Sequence, residues 1–112
     1  MSGKEYVADS IEVAQKVLSE IKASNTLSGD PLLEEISKAC ETLENLKKKP
    51  TLRTKDGTNL AFPVMEAAGN LEEAWEDAKG GNSSDLKWRM EEFAGAVNAL
   101  NGALKERTVI MT

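Results

Sequence analysis

The hydrophobic positions of this chain fall into four runs with helical spacing, separated by polar or glycine-rich breaks. The last run is the most regular. Leu86, Met90, Phe93, Val97, Leu100 and Leu104 step by four, three, four, three and four, which places them on one face of a helix over about 85–107. About half a turn away, at roughly 100° per residue, lie Trp88, Gly95, Ala99 and Gly102. A helix with a large apolar stripe and a second face of one Trp and small residues is expected to make contacts on two sides. Gly95 and Gly102 each cost about 1 kcal/mol against Ala inside an exposed helix. Close approach of another backbone would compensate, with the third helix a candidate neighbour. Trp88 is then either inside the bundle, the reading slightly favoured, or exposed beside Gly95 and Ala99 as a shallow apolar patch that receives a partner helix.

The first helix is predicted from Gly3 to Ala23. Val7, Ile11, Ala14, Leu18 and Ile21 form its seam, and Tyr6, Val13 and Val17 widen it enough to need two neighbours. After a polar break at 24–29, Asp30-Pro31 opens the second helix. Asp accepts hydrogen bonds from free amides, and Pro costs nothing at a position whose N–H has no helical partner. Leu32, Ile36, Ala39, Cys40, Leu43 and Leu46 point inward, while Glu34, Glu35, Glu41 and Glu44 point outward. Lys47, Lys48 and Lys49 suit the negative end of the helix dipole, and Pro50 stops the helix.

The third helix is predicted from Pro63 to Lys79, with Val64, Ala67, Ala68, Leu71, Trp75 and Ala78 inward and Glu66, Asn70, Glu73 and Asp77 outward. Gly80-Gly81 ends it, since glycine tolerates the left-handed backbone of a helix C-terminus. Ser83, Ser84 or Asp85 is expected to cap the fourth. Between the second and third helices, 51–62 reads as an ordered loop or a short β-hairpin turning at Asp56-Gly57. Residues 108–112 are β-branched and apolar, and pack on the bundle, pair with 51–62 or fray. Four amphipathic segments with two short connections and one long one give an all-α class: an antiparallel four-helix bundle, as a single domain over 1–112.

Composition narrows the function more than the fold. The net charge of −5 argues against a general nucleic-acid binder, which needs a basic footprint. No run is long and apolar enough for a membrane span, and no charged and apolar leader opens the chain. With one cysteine, which cannot form an intramolecular disulfide, the expectation is a soluble cytoplasmic protein.

Histidine is absent. That removes Ser-His and Cys-His nucleophile activation and nearly all catalytic zinc sites. The carboxylates fall on outward phases, so a di-metal bundle site is not expected either. No catalytic residue, metal ligand or cofactor is assigned. Cys40, on the apolar stripe, reads as a small buried hydrophobe.

Three surfaces are left as candidates for binding a partner. One is the second face of the fourth helix, Trp88, Gly95, Ala99 and Gly102. Another is the acidic face Glu66, Asn70, Glu73 and Asp77. The third is the basic cluster Lys47, Lys48, Lys49, Arg53 and Lys55. The reading they favour is a non-enzymatic protein–protein interaction module: an adaptor, an assembly subunit or an inhibitor of another protein. A homodimer stays open. The alternative is a small histidine-free helical enzyme or ligand-binding bundle. A third reading is a binder of anionic surfaces through the 47–55 cluster.

Overall fold

The computed structural model describes residues 3–47 and 61–106, with the side chains of residues 5–47 and 61–103. Four helices follow one another: α1 (Gly3–Ser24), α2 (Pro31–Lys47), α3 (Phe62–Lys79) and α4 (Leu86–Glu106). They form the four-helix bundle that the periodicity calls for. No strand occurs among the described residues. The hairpin alternative for 51–62, the tail 108–112, and Lys48, Lys49, Arg53 and Lys55 lie outside the described residues. At its described end that segment is helical, because Phe62 is the first residue of α3 rather than a strand residue.

The α1–α2 and α3–α4 hairpins are each antiparallel, and α1 packs on α2 and α3 while α4 packs on α2 and α3. The segment 48–60 thus joins helices that sit diagonally across the bundle. One consequence is that α1 runs parallel to α3. Tyr6 near the start of α1 meets Phe62 at the start of α3, with ring centroids 5.7 Å apart. Further along, Lys16 reaches Glu72 at 3.4 Å and Glu20 reaches Lys79 at 3.1 Å. α2 and α4 are parallel in the same way, with Lys87 of α4 2.9 Å from Asp30 at the head of α2.

Parallel neighbours gain nothing from opposed helix dipoles. The described ion pairs that link different helices, or a helix to a cap, all cross these two parallel seams. Exposed pairs of this kind contribute about 0–1 kcal/mol each, so they set register more than stability.

Stability comes from the core. Val7, Ile11, Ala14, Val17, Leu18 and Ile21 of α1 are buried, as the seam predicts. α2 buries all six of its inward residues and no others. On α4, Leu86, Met90, Phe93, Val97 and Leu100 are buried, while the Leu104 side chain lies outside the described residues. Ala61, Ala74 and Ala94 are further buried positions that the stripes did not include. They flank the stripes, where small side chains let neighbouring helices close up. Ser10 is the buried polar residue among those described, and its Oγ donates to the Tyr6 carbonyl at 2.7 Å. A hydroxyl satisfied by its own helix costs the core little.

Helix ends follow the chemistry of their sequence. Asp30 Oδ1 accepts the Leu32 amide at 3.0 Å, which is the expected N-cap. That bond, followed by the Lys87 ammonium, holds the Asp30 carboxyl below the usual carboxylate range. α3 ends where Gly81 takes φ 108° and the Asn82 amide reaches back to the Asp77 carbonyl at 2.9 Å. Before α4, Asn82 Oδ1 accepts both the amide and the hydroxyl of Ser84, at 3.3 and 2.7 Å. The Asp85 carboxylate instead takes the Trp88 indole N–H at 3.3 Å.

Cys40 is buried and unpaired. Burial, with a smaller contribution from the Glu44 carboxylate, pushes its thiol up from 9.0 to about 11. A raised folded pKa means this contribution to stability is complete below about pH 9 and is lost as pH rises towards 11. Cys40 is therefore expected to resist a thiol-specific disulfide reagent at neutral pH and to react at full rate once urea unfolds the chain. Rapid labelling of the folded protein would show that the α2 seam opens locally.

Candidate functional site

The outer face of α4 departs most from the sequence expectation. Trp88 is exposed, with 46% of its surface open to solvent. Gly95 and Ala99 are exposed and Gly102 half-buried. A Cβ added at Gly95 or Gly102 would meet nothing within 4 Å among the described residues. The close approach of α3 expected there does not exist. α3 and α2 pack against the two flanks of the Phe93 stripe, and the Trp88 face points away from both. The two glycines therefore carry their helical cost without compensation inside the monomer. Gly95→Ala is expected to raise stability by about 0.5–1 kcal/mol in urea denaturation of dilute protein.

The Trp88 indole is held in place locally. Its N–H goes to Asp85, and the Arg89 guanidinium lies over the ring, 4.0 Å from the centroid. Arg89 in turn pairs with Glu92 at 2.9 Å. One ring face is thus covered by a cation while the rest of the indole stays accessible. A large apolar side chain fixed in one orientation loses little entropy when a partner covers it. Beside it, a trough of about 370 Å³ runs between α2 and α4. Ala39, Ala94 and Gly95 line it, with Glu35, Lys38 and Glu91 among its charged residues. Gly95 thus belongs both to the open face and to the trough.

On α3, Glu66, Glu73 and Asp77 are exposed and Asn70 is half-buried, so the four form the outward stripe that their spacing predicts. Their neighbours Glu72 and Glu76 are paired with Lys16 and Lys79. Glu66, Glu73 and Asp77 form no ion pair among the described residues. The result is a line of negative charge along one helix that no described basic residue pairs with. Of the basic cluster, Lys47 is exposed in the last turn of α2, and its other members lie outside the described residues.

The sequence did not disclose a polar cluster at the far end of the α1–α3 seam. Glu20 Oε1 accepts both the Trp75 indole N–H at 3.0 Å and the Lys79 ammonium at 3.1 Å. The Trp75 bond first, and then Lys79, hold the Glu20 carboxyl below its usual range. The only available signal was an inward Trp whose N–H needs an acceptor. A depression of about 690 Å³ adjoins it, lined by Glu20, Ser24, Thr26, Trp75 and Lys79. Its polar groups are already spent on one another: Ser24 Oγ donates to the Ile21 carbonyl and bonds Thr26 Oγ1, each at 2.8 Å. No buried side-chain polar atom lacks a partner among the described residues. No group of three metal-ligating side chains occurs among them either, and none of their helices is long and apolar enough to cross a membrane.

No protein-family model, curated protein or solved structure matches this chain. Its function has to be argued from the surfaces just described.

Proposed function

We propose that this protein is a protein–protein interaction module of the cytoplasm, an adaptor, assembly subunit or inhibitor, and that the outer face of α4 is its contact surface. The exposed Trp88, set beside open small residues, carries this reading. Trp is enriched among residues that dominate binding energy, and it does so where small neighbours let a partner close around it. The face has the form of a helix-in-groove site, with one aromatic anchor and backbone accessible along three further turns.

The acidic stripe on α3 supports a second contact, with a basic surface, because Glu66, Glu73 and Asp77 form no ion pair among the described residues. Binding there would weaken with salt, and binding at Trp88 would weaken much less.

The test is capture of partners from the native cell extract by wild type, Trp88→Asp, and a Glu66→Lys/Glu73→Lys/Asp77→Lys variant, each checked for helicity and thermal unfolding. A stoichiometric chain lost with folded Trp88→Asp supports the α4 reading. Loss only with the α3 variant moves the site to the acidic stripe. Equal capture by all three removes both surfaces from consideration.

A further inference from the structure

The α4 face carries a complement to itself. Trp88 and Gly102 each lie seven residues from Gly95, on the same side of the helix. We propose that a second copy of this chain docks on the face antiparallel, about a two-fold axis passing through Gly95. This rests on the reading of α4 as the contact surface and names what occupies it. In that arrangement each Trp88 meets the other copy's Gly102, the bulkiest side chain against an open backbone, and Gly95 meets Gly95. Isologous contacts of this kind need one patch that is its own complement.

Charge selects the same orientation. Between Asp85 and Ala103 the charged residues are Asp85, Lys87, Arg89, Glu91 and Glu92, all in the first half of that span, and α4 then ends on Lys105 and Glu106. From Phe93 to Ala103 there is none. Over 88–102 an antiparallel pair sets each charged stretch against the other copy's uncharged one, with Glu91 and Glu92 opposite Ala99 and Asn98. A parallel pair stacks Glu92 on Glu92 and Trp88 on Trp88. Sliding the antiparallel pair so that Trp88 faces Gly95 sets Glu91 against Glu92. Like charges face each other in both alternatives, so both are disfavoured. No described residue lies near a Cβ at Gly95 or Gly102, which lets the two axes approach closely, towards the lower end of the usual 8–10 Å.

Sedimentation equilibrium over a concentration series reaching the millimolar range tests this, with wild type, Trp88→Ala and Gly95→Glu. Both substitutions are on open surface, so the monomer stays folded and helical, and Gly95→Glu raises its unfolding midpoint as Gly95→Ala does. The expected result is a wild-type dimer, with self-association weakened by about 30-fold or more in each variant. Orientation is read by oxidative cross-linking in a Cys40→Ala background. Gly95→Cys is expected to form disulfide dimers, and Trp88→Cys to cross-link with Gly102→Cys but not with itself.

Wild type that stays monomeric throughout overturns the proposal, as does a dimer unchanged in both variants or a Trp88→Cys chain that cross-links to its own copy. A monomeric wild type that still captures a different protein through Trp88 overturns the second copy and leaves the proposed function standing. Monomeric wild type that captures nothing overturns both.

Discussion

Phe93→Ala is expected to destabilise the bundle by about 3–5 kcal/mol, a large part of the stability of a domain this size. Phe93 is fully buried in the middle of the α4 stripe, between Met90 and Val97, which are also closed to solvent. Removing the ring forfeits its transfer free energy and leaves a cavity between helices that face neighbours on both flanks. None of those helices can move in without opening another seam, so the void stays largely unfilled. Urea denaturation checks this, and the slope with denaturant should stay close to wild type if the native fold is retained. Phe62 is the internal control. It is 39% exposed and touches Tyr6 edge to face, so Phe62→Ala should lose only about 0.5–1.5 kcal/mol of ring–ring contact plus a partial burial contribution. Equal losses at the two sites would mean that the α4 stripe is not the centre of the core.

How much of this was legible in the sequence depended on whether a feature is set within one helix or between helices. α2 was readable down to the residue: Asp30-Pro31 and the six-residue stripe are local signals, and the amide bond to Asp30 and the burial of Leu32 through Leu46 follow from them. Trp75 was placed correctly because it is in phase with Val64, Ala68 and Leu71. Its acceptor, Glu20, lies on another helix 55 positions earlier, and no spacing rule connects them.

The exposure of Trp88 stayed open for a related reason. Periodicity fixes the angle of a side chain about its own helix, but not how many neighbours surround that helix. Small residues on the opposite face suit a covered helix and an open one equally. The diagonal arrangement, in which α4 touches α2 and α3 alone among the described helices, decides between them and leaves Trp88 outside. That arrangement depends on which helices 48–60 connects across the bundle, a choice that hydrophobic phase does not encode. The candidate surfaces were therefore identifiable as residues, while their exposure was not.

The two tryptophans are opposites in what their replacement should do, and Trp75 is the one that supports the fold. It is 4% exposed against 46% for Trp88. Trp75→Ala is expected to cost about 3–5 kcal/mol through lost burial and the cavity it leaves in the α1–α3 seam. Trp75→Phe keeps most of the apolar bulk, removes the N–H that Glu20 accepts, and should cost less. The two variants separate packing from the polar contact.

The pH dependence has a definite sign. Glu20 is held below its usual pKa by Trp75 and then Lys79, so it contributes stability above the ordinary Glu range and loses it as pH falls through the depressed value. In a Trp88→Phe background, Trp75 is the sole Trp and its fluorescence should change across that lower pH window. In Trp75→Phe, carboxyl NMR of Glu20 should show its pKa moving back up towards the ordinary value, short of it because Lys79 remains 3.1 Å away. A Glu20 pKa indifferent to Trp75→Phe would mean that Lys79 alone holds the carboxylate and that the indole contact is incidental to the seam.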